Sequence, residues 1–353
     1  MDWNLKDLYK SVDSKEINSD FTKLDLKSKK FNKKYRNRIS DSSSPKLIFE
    51  SLVEIEKIYE GLGKISSYAS LLFAADTNNE KYSKFYQNVS ERISDIRKNL
   101  IFYFLSWNKI SEKRAKEIYS SPALKKYSHL LKSERKYKDF MLTEPEEKIL
   151  DKKSITSSRA FNRLFDQTLN NLQFEMKFKN KTALLTETEV LSLLYDKNRK
   201  VRISASDSLT KGLKSERKLL TFIFNQILTD SKITNEIRGH KTPMSSRNLS
   251  NEISQKTVQA LIDTCNKYNK VPIRYYKLKS KILKIKNFAD YDRYAPLGQS
   301  NRKFSFADAK KIVLDSFNEF SPQMGMVAKL FFDNNWIDYK LRKGKRGGAF
   351  SHS

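Results

Sequence analysis

Apolar residues recur every three or four positions along most of the chain, which is the period of an amphipathic helix. One such stripe runs from Leu47 to Leu72. Ser44 and Pro45 precede it and suit the N-cap and first-turn positions of a helix. A second stripe runs from Phe85 to Tyr103, and the polar segment 76–80 separates the two. The pattern therefore predicts two long helices that fold back on each other as an antiparallel pair.

A short alternating segment interrupts the helical period. Residues 173–185 (QFEMKFKNKTALL) alternate apolar and polar positions, with Phe174, Met176 and Phe178 on one side. That period of two predicts a strand, in a hairpin that turns at residues 179–181. The fold class predicted from the pattern is mainly α with one small strand hairpin.

The end of the sequence has a different character. Three of the nine glycines, Gly344, Gly347 and Gly348, lie in the last ten residues. Segment 347–353 (GGAFSHS) is expected to form a turn that enters a strand.

The amino-acid composition excludes several fold classes and several kinds of binding site. Nine Gly and seven Pro in 353 residues are less than half of the usual share of roughly 7% and 5%, which argues against sandwiches, barrels and propellers. Neither a G-x-G-x-x-G nor a G-x-x-x-x-G-K-[ST] motif occurs. The single cysteine, Cys265, excludes an internal disulfide and a cysteine zinc finger, and it is expected to be a small buried residue. The N-terminus has no secretory signal pattern, and the longest apolar run is residues 100–105, so we expect a soluble cytoplasmic protein with no membrane span.

The strong positive charge leaves two interpretations open. The chain carries 69 Lys+Arg against 41 Asp+Glu, a formal net charge of +28. Basic residues are densest in segments 23–38 and 340–346, and each could hold phosphates by electrostatic attraction. Because lysine predominates and is spread along the whole chain, a solvated helix face and a loop are favoured over nucleic-acid binding.

Several segments, in order along the chain, resemble motifs of the oligoendopeptidase F family, the thimet-type zinc oligopeptidases. Residues 3–9 (WNLKDLY) are similar to that family's W-D-L-x-D-L-Y, and residues 161–166 (FNRLFD) to its W-x-x-L-F-D-E. Residues 196–205 (DKNRKVRISA) resemble D-R-x-V-R-x-x-A, and residues 348–352 (GAFSH) resemble G-A-F-x-H. Further similar segments lie at 127–150, 248–253, 274–279, 291–297 and 331–338.

The resemblance implies a mostly helical, two-lobed metallo-oligopeptidase fold with a deep channel that takes short peptides. It also implies a zinc-dependent metalloendopeptidase, in which two histidines of an H-E-x-x-H helix and a downstream glutamate hold zinc, and the zinc-bound water attacks the peptide bond. None of His129, His240 and His352 belongs to such a motif. The resemblance therefore transfers no catalytic residue and no metal ligand to this chain. The expectation is a chain truncated after residue 353, before its zinc site, and inactive alone.

The resemblance also divides the chain and suggests a substrate-binding segment. It implies an N-terminal helical region at 1–105, the family's N-terminal domain at 106–185, and the first part of the catalytic domain at 186–353. In the family, the strand that matches Gly347, Gly348, Ala349 and Phe350 borders the substrate channel. Small residues there let a bound peptide approach the backbone and pair with it as an added strand. A purely structural turn and strand is the alternative.

Three functions remain open at this point. The chain could be the front part of a zinc oligoendopeptidase, a zinc-less remnant that binds peptides or docks to a partner, or a basic helical protein that binds nucleic acid. Two structural expectations accompany them. The segment around Asp292 could hold an ion pair with Arg293 that fixes the following Ala-Pro turn. The apolar side chains at 331, 332, 336 and 337 would face solvent or a gap.

Overall fold

Helices form nearly all of the regular structure in the computed structural model, which describes residues 3–178, 181–298 and 303–352. One two-stranded hairpin interrupts them. The elements are α1 Lys15–Tyr35, α2 Pro45–Ala75, α3 Glu80–Arg97, α4 Phe102–Lys109, α5 Glu112–Tyr119, α6 Ser128–Arg135, α7 Glu144–Ser154, α8 Ser158–Asn171, β1 Phe174–Phe178, β2 Lys181–Leu185, α9 Glu187–Leu193, α10 Arg199–Ser215, α11 Arg217–Ile237, α12 Ser245–Ser250, α13 Gln255–Tyr268, α14 Lys270–Ile282, α15 Phe306–Phe320 and α16 Pro322–Asp333. In the described parts of the chain, no helix combines the length and hydrophobicity needed to cross a membrane.

The predicted pair of long helices is confirmed, with one change. The Ser44 hydroxyl accepts a hydrogen bond from the Leu47 backbone N–H, and Pro45 occupies the first turn of α2. The second stripe does not stay in one helix, because α3 ends at Arg97 and α4 begins at residue 102. Side chains of α1 hold the turn between them: Asn32 donates to the Asn99 carbonyl at 2.7 Å, and Asn99 donates to the Ser28 hydroxyl at 3.0 Å. These bonds fix a bend that the apolar period does not reveal.

The larger hydrophobic core lies among the first six helices. It contains aromatic and aliphatic side chains that are almost fully buried, including those of Phe31, Ile65, Tyr103 and Trp107. Trp107 donates its indole N–H to the Leu131 carbonyl at 3.0 Å, which satisfies the polar atom that burial would otherwise leave without a partner. α2 is the long central element of this core, as its apolar stripe predicts.

The predicted hairpin is confirmed. β1 and β2 pair antiparallel, with Phe174 opposite Leu185 and Met176 opposite Ala183. The Phe174 and Met176 side chains are buried with Val190 of α9, in a second, smaller core. The predicted turn at 179–181 lies outside the described residues, apart from the backbone of residue 181.

The C-terminal strand is not formed. Among the described residues, segment 336–352 has no strand assignment, so the expected start of an active-site strand is wrong in this structure. Gly344 and Gly348 have φ angles of +81° and +79°. These left-handed conformations turn the chain at two points and interrupt the extended backbone that a strand requires.

Two other expectations about burial need correction. Cys265 is exposed on α13 instead of buried. Of the four apolar residues expected to face solvent or a gap, Phe331 and Trp336 are exposed and Ile337 is half-buried, whereas Phe332 is buried. The Phe332 ring packs edge-on against Phe306, with 5.9 Å between ring centroids, because α16 folds back on α15.

Candidate functional site

The glycine-rich segment near the end of the chain is tied to the C-terminal end of α2. The backbone N–H and hydroxyl of Thr77 both donate to the Gly344 carbonyl, at 2.7 and 2.9 Å. The Arg346 backbone N–H donates to the Ala74 carbonyl at 2.9 Å. A Cβ at Gly344 would lie 2.5 Å from the Asp76 carboxylate, so both its positive φ and the lack of space require glycine. This anchoring fixes the path of residues 344–347.

The half-buried carboxylate of Asp338 also holds this glycine-rich segment. Asp338 accepts two hydrogen bonds from the Arg342 guanidinium, at 2.8 and 2.7 Å, and lies 3.2 Å from the Lys345 ammonium. Burial alone would raise the pKa of Asp338. The hydrogen bonds from Arg342 and Lys345 outweigh that effect and hold its pKa below the ordinary value. Asp338 is therefore ionised at neutral pH and organises the basic segment 340–346.

The anchored segment forms one side of a cleft of about 250 Å³. The end of α8 and the start of α9 form the opposite side, and the Gly347 N–H reaches the Asn170 side-chain oxygen there at 3.3 Å. The lining residues are Leu169, Asn170, Thr186, Glu187, Thr188, Asp338, Tyr339, Leu341, Arg342, Lys345, Arg346, Gly347, Gly348 and Ala349. Three of the four residues that the sequence suggests for substrate binding thus line one cleft.

Phe350 lies apart from this cleft. Its side chain is 51% exposed, and the Arg346 guanidinium carbon lies 5.8 Å from the centre of its ring. The backbone beside it is open, because Gly348, Ala349 and Phe350 are all exposed. Within the described part of the chain, no hydrogen bond uses a backbone N–H or C=O of these three residues. The segment therefore presents backbone donors and acceptors that another chain could pair with.

Sequence reasoning missed one acidic residue of the cleft. Glu187 is the first residue of α9, directly after the N-cap residue Thr186, whose N–H and hydroxyl both donate to the Glu189 carboxylate at 2.8 Å. Burial raises the pKa of Glu187. The T-E-T-E sequence predicts a capped helix start, but nothing in it indicates that Glu187 lies beside segment 347–349 in one cleft.

The three histidines have different neighbours. His129 lies 3.0 Å from the Glu252 carboxylate, and His352 lies 3.2 Å from the Ser70 hydroxyl. His240 stacks on Phe140 with 4.0 Å between ring centroids, and burial together with nearby Arg238 lowers its pKa. No group of three or more His, Cys, Asp or Glu side chains within residues 3–178, 181–298 and 303–352 could hold a metal ion. The residues described do not fit a zinc site.

Asp292 pairs with partners other than the one expected from the sequence. Its side chain is fully buried and binds Arg202 at 2.8 Å and Arg199 at 2.9 Å, both in α10. Arg293 instead donates to the Tyr294 hydroxyl at 3.0 Å. The expected pairing of Asp292 with Arg293 is therefore wrong, because the neighbouring side chain points away and α10 supplies the cations. This cluster is structural: it fixes the 290–292 turn to α10.

Both basic segments carry intramolecular ion pairs. In segment 23–38, Lys29 binds Asp25 at 2.6 Å, Lys34 binds Glu54, and Arg36 binds Glu144 at 2.7 Å. In segment 340–346, Asp338 binds Arg342 and Lys345, as described above. These ion pairs occupy cations that would otherwise attract a phosphate backbone. They favour the interpretation of segment 23–38 as a solvated helix face and of segment 340–346 as a loop, over nucleic-acid binding.

Two family models match the chain in succession. The first, described as Oligopeptidase F, matches residues 107–174, and the second, described as Peptidase family M3, matches residues 192–353. The chain belongs to the oligoendopeptidase F family. Membership places it in a family of peptidases and confirms the resemblance seen in the sequence motifs.

Relatives from several bacteria match nearly the whole chain. Oligopeptidase PepF of Bacillus subtilis is 25% identical over 330 residues, which is 90% of this chain and 48% of that protein. An oligoendopeptidase F homolog of Borreliella burgdorferi is 28% identical over 360 residues, which is 99% of this chain and 58% of that protein. The chain thus spans about half the length of the curated relatives it matches.

Solved structures of the family share the fold. Oligoendopeptidase-F from Enterococcus faecium superimposes with a TM-score of 0.71 at 18% identity, over 91% of this chain and 64% of that one. PZ peptidase A superimposes with a TM-score of 0.72 at 13% identity, over 94% of this chain and 56% of that one. The predicted oligopeptidase fold, mainly α with one hairpin, is confirmed.

Proposed function

We propose that this chain forms the helical lobe and one wall of the peptide channel of a zinc-dependent oligoendopeptidase that hydrolyses internal bonds of short peptides. Family membership supports the peptidase class. The open backbone of residues 348–350 beside the cleft carries the assignment to peptide binding. Gly347, Gly348, Ala349 and Phe350 are the proposed substrate-binding residues.

The proposed contact is main-chain pairing. An extended peptide presents N–H and C=O groups along each edge, and these match the free donors and acceptors of Gly348, Ala349 and Phe350. Gly347 and Gly348 carry no side chain that would keep the peptide from the backbone, and open space surrounds the Cβ position of Gly348. Asn170 and Thr77 hold the segment in place before the peptide arrives, which lowers the entropic cost of binding.

Zinc chemistry is proposed for the complete enzyme and not for these 353 residues. The sequence has no H-E-x-x-H motif, and the described residues offer no ligand cluster. In the proposed arrangement, sequence outside this chain supplies the zinc-binding helix. This chain binds and orients the peptide. Its proposed divisions are 1–105, 106–185 and 186–353, of which the last contains the cleft segment.

Binding to peptides with a modified backbone tests the main-chain contact. We expect a short peptide labelled at its C-terminus to bind the 353-residue chain, as measured by fluorescence anisotropy. A copy N-methylated at every second residue loses the N–H groups of one edge, and we expect it to bind at least about tenfold more weakly. Ala349→Pro, which removes a backbone N–H from the segment, should weaken binding of the unmodified peptide. Equal binding of both peptides would contradict main-chain pairing.

A matched substitution and a cleavage assay complete the test. Gly298→Ala changes a glycine with open space around it, outside the residues that line the cleft, and should leave peptide binding unchanged. An internally quenched peptide incubated with this chain and zinc chloride should stay intact. Zinc-dependent cleavage by the 353 residues alone would refute the proposal that the metal site lies elsewhere.

A further inference from the structure

Among the residues that the structure describes, one charged side chain of the cleft has no ionic partner. Asp338 binds Arg342 and Lys345, and Arg346 lies 3.5 Å from the Asp166 carboxylate. Glu187 also lines the cleft, but within residues 3–178, 181–298 and 303–352 it forms no ion pair. Burial raises the pKa of Glu187. The three cations of the cleft pair with other carboxylates, Arg342 and Lys345 with Asp338 and Arg346 with Asp166.

The position of Glu187 relates it directly to the proposed peptide segment. A Cβ built on Gly347 would lie 3.5 Å from a Glu187 carboxylate oxygen and 3.5 Å from the Thr188 hydroxyl. The carboxylate and the hydroxyl therefore face the backbone at the point where the segment enters the cleft. Along the segment, the open backbone of 348–350 follows immediately.

Helix capping does not explain this carboxylate. Thr186 and Glu189 already exchange the capping hydrogen bonds at the start of α9. A half-buried carboxylate without a partner is unfavourable, because it gives up water and gains no hydrogen bond in return. The helix dipole favours a carboxylate in the first turn of α9 only modestly. A cation bound in the cleft would offset the cost of burial further.

The chemistry around Glu187 fits an amine. An ammonium group has three donors and a compact charge. The Glu187 carboxylate and the Thr188 hydroxyl both lie within 3.5 Å of the Cβ position of Gly347 and offer acceptors to such a group. A divalent metal ion is a poorer fit, because the described residues provide no cluster of three metal-ligating side chains here.

We propose that Glu187 binds a primary ammonium group of the peptide in the cleft, either its N-terminus or a lysine side chain. The proposal rests on the proposed function, because the ammonium belongs to the peptide that pairs with residues 348–350. Glu187 thereby selects cationic peptides. It also sets the register of pairing, because the N-terminus or the lysine of the peptide must lie beside Glu187.

Four peptides of one length, each labelled at its C-terminus, test the proposal and separate the two sources of the ammonium. One has a free N-terminus and no lysine; one is N-acetylated without lysine. A third is N-acetylated with one lysine, and the fourth is N-acetylated with norleucine in its place. We expect at least one ammonium-bearing peptide to bind about tenfold more tightly than its neutral counterpart. Glu187→Gln should reduce that ratio to below about threefold while leaving the affinity for the neutral peptides unchanged.

Glu80→Gln is the matched control. Glu80 is likewise the first residue of a helix, α3, and does not line the cleft, so this substitution should preserve the wild-type ratio. Equal binding of all four peptides by the wild-type chain, or an unchanged ratio in Glu187→Gln, would overturn the role of Glu187 alone. Failure of every peptide to bind would overturn the proposed function and this inference together.

Discussion

Arg202 and Asp292 form a buried ion pair although 90 positions separate them in the sequence. Their side chains are 2% and 0% exposed, and the Arg202 guanidinium donates to the carboxylate at 2.8 Å. Arg202 also donates to the backbone carbonyls of Tyr291 and Asp196, at 3.1 and 2.8 Å. The pair therefore joins α10 to the 290–292 turn through a network in which the charged groups are hydrogen bonded.

Removing the carboxylate of this pair is expected to be strongly destabilising. Asp292→Ala leaves the Arg202 guanidinium buried without its counter-charge, which costs about 3–5 kcal/mol of unfolding free energy. Urea unfolding followed by far-UV circular dichroism measures the loss. Asp290→Ala, an exposed neighbour in the same turn, should change the stability by less than about 1 kcal/mol. Similar stabilities of the two variants would contradict a structural role for the pair.

A second ion pair predicts how stability changes in acid. Arg36 binds Glu144 through both guanidinium nitrogens, at 2.9 and 2.7 Å. Hydrogen bonds from Arg36 lower the pKa of Glu144 from 4.5 to about 2. Because the folded-state pKa lies below the unfolded one, the pair stabilises the fold above about pH 4.5. That stabilisation is lost as the pH falls towards 2.

Glu144→Gln isolates this contribution from those of other carboxyl groups. The wild type should exceed the variant in unfolding free energy by about 1–2 kcal/mol more at pH 6 than at pH 2.5, less than the full pKa shift would give, because the pair is partly solvated. Urea titrations at a series of pH values provide the comparison. Glu60→Gln, an exposed change on α2, serves as the control. A difference between wild type and Glu144→Gln that does not vary with pH would refute the linkage.

Alanine substitutions at two helical glycines should change the stability of the chain in opposite directions. A Cβ at Gly212 in α10 would lie 2.5 Å from the buried ring of Phe174, whereas Gly63 in α2 has open space around it. Gly212→Ala should cost about 1–3 kcal/mol by overpacking the smaller core. Gly63→Ala should stabilise the chain by about 0.5–1 kcal/mol, because alanine favours the helix. Thermal unfolding of both variants tests the sign, and a stabilised Gly212→Ala protein would contradict the packing described.

The exposed apolar face of α15 and α16 should make the chain prone to self-association. Phe320 is 82% exposed, and Val327 and Phe331 are 52% and 43% exposed. Apolar patches of this kind are a liability for a chain alone in water. We expect the 353-residue chain to bind a hydrophobic dye and to elute from size exclusion as more than a monomer.

Substitution within this face provides the comparison. Phe320→Ser together with Val327→Ser should lower both dye fluorescence and the associated fraction. Phe224→Ser, a change of one exposed phenylalanine on α11, should have a smaller effect. A monodisperse wild-type monomer that binds no dye would show that the face is not a liability in solution.

Local physical chemistry made several elements predictable. Ser44 and Pro45 mark the start of α2 because a hydroxyl can cap a free N–H and proline needs no N–H there. Phe174 and Met176 alternate with polar residues because one face of the hairpin is buried. Each of these features depends on residues that lie within a few positions of each other in the sequence, so the sequence pattern reveals it. The family motifs likewise follow the sequence in order and predict the fold.

Other features depend on residues that are distant in sequence, and only the tertiary structure decided them. Asp292 has Arg293 beside it in the chain, yet the fold brings Arg199 and Arg202 to it instead. The strand expected at 347–350 is not formed, because a strand needs a hydrogen-bonded partner and Gly348 turns the backbone.

Some residues of the cleft could be predicted from the sequence, and others could not. Gly347, Gly348 and Ala349 could be singled out from their composition and motif, whereas Glu187 could not. Glu187 joins them only because the start of α9 lies against the C-terminal segment in the fold. The sequence by itself determined the helices, the hairpin and the family. The tertiary structure decided which charges pair and which carboxylate has no ionic partner among the described residues, because pairing depends on distances in space that no local pattern encodes.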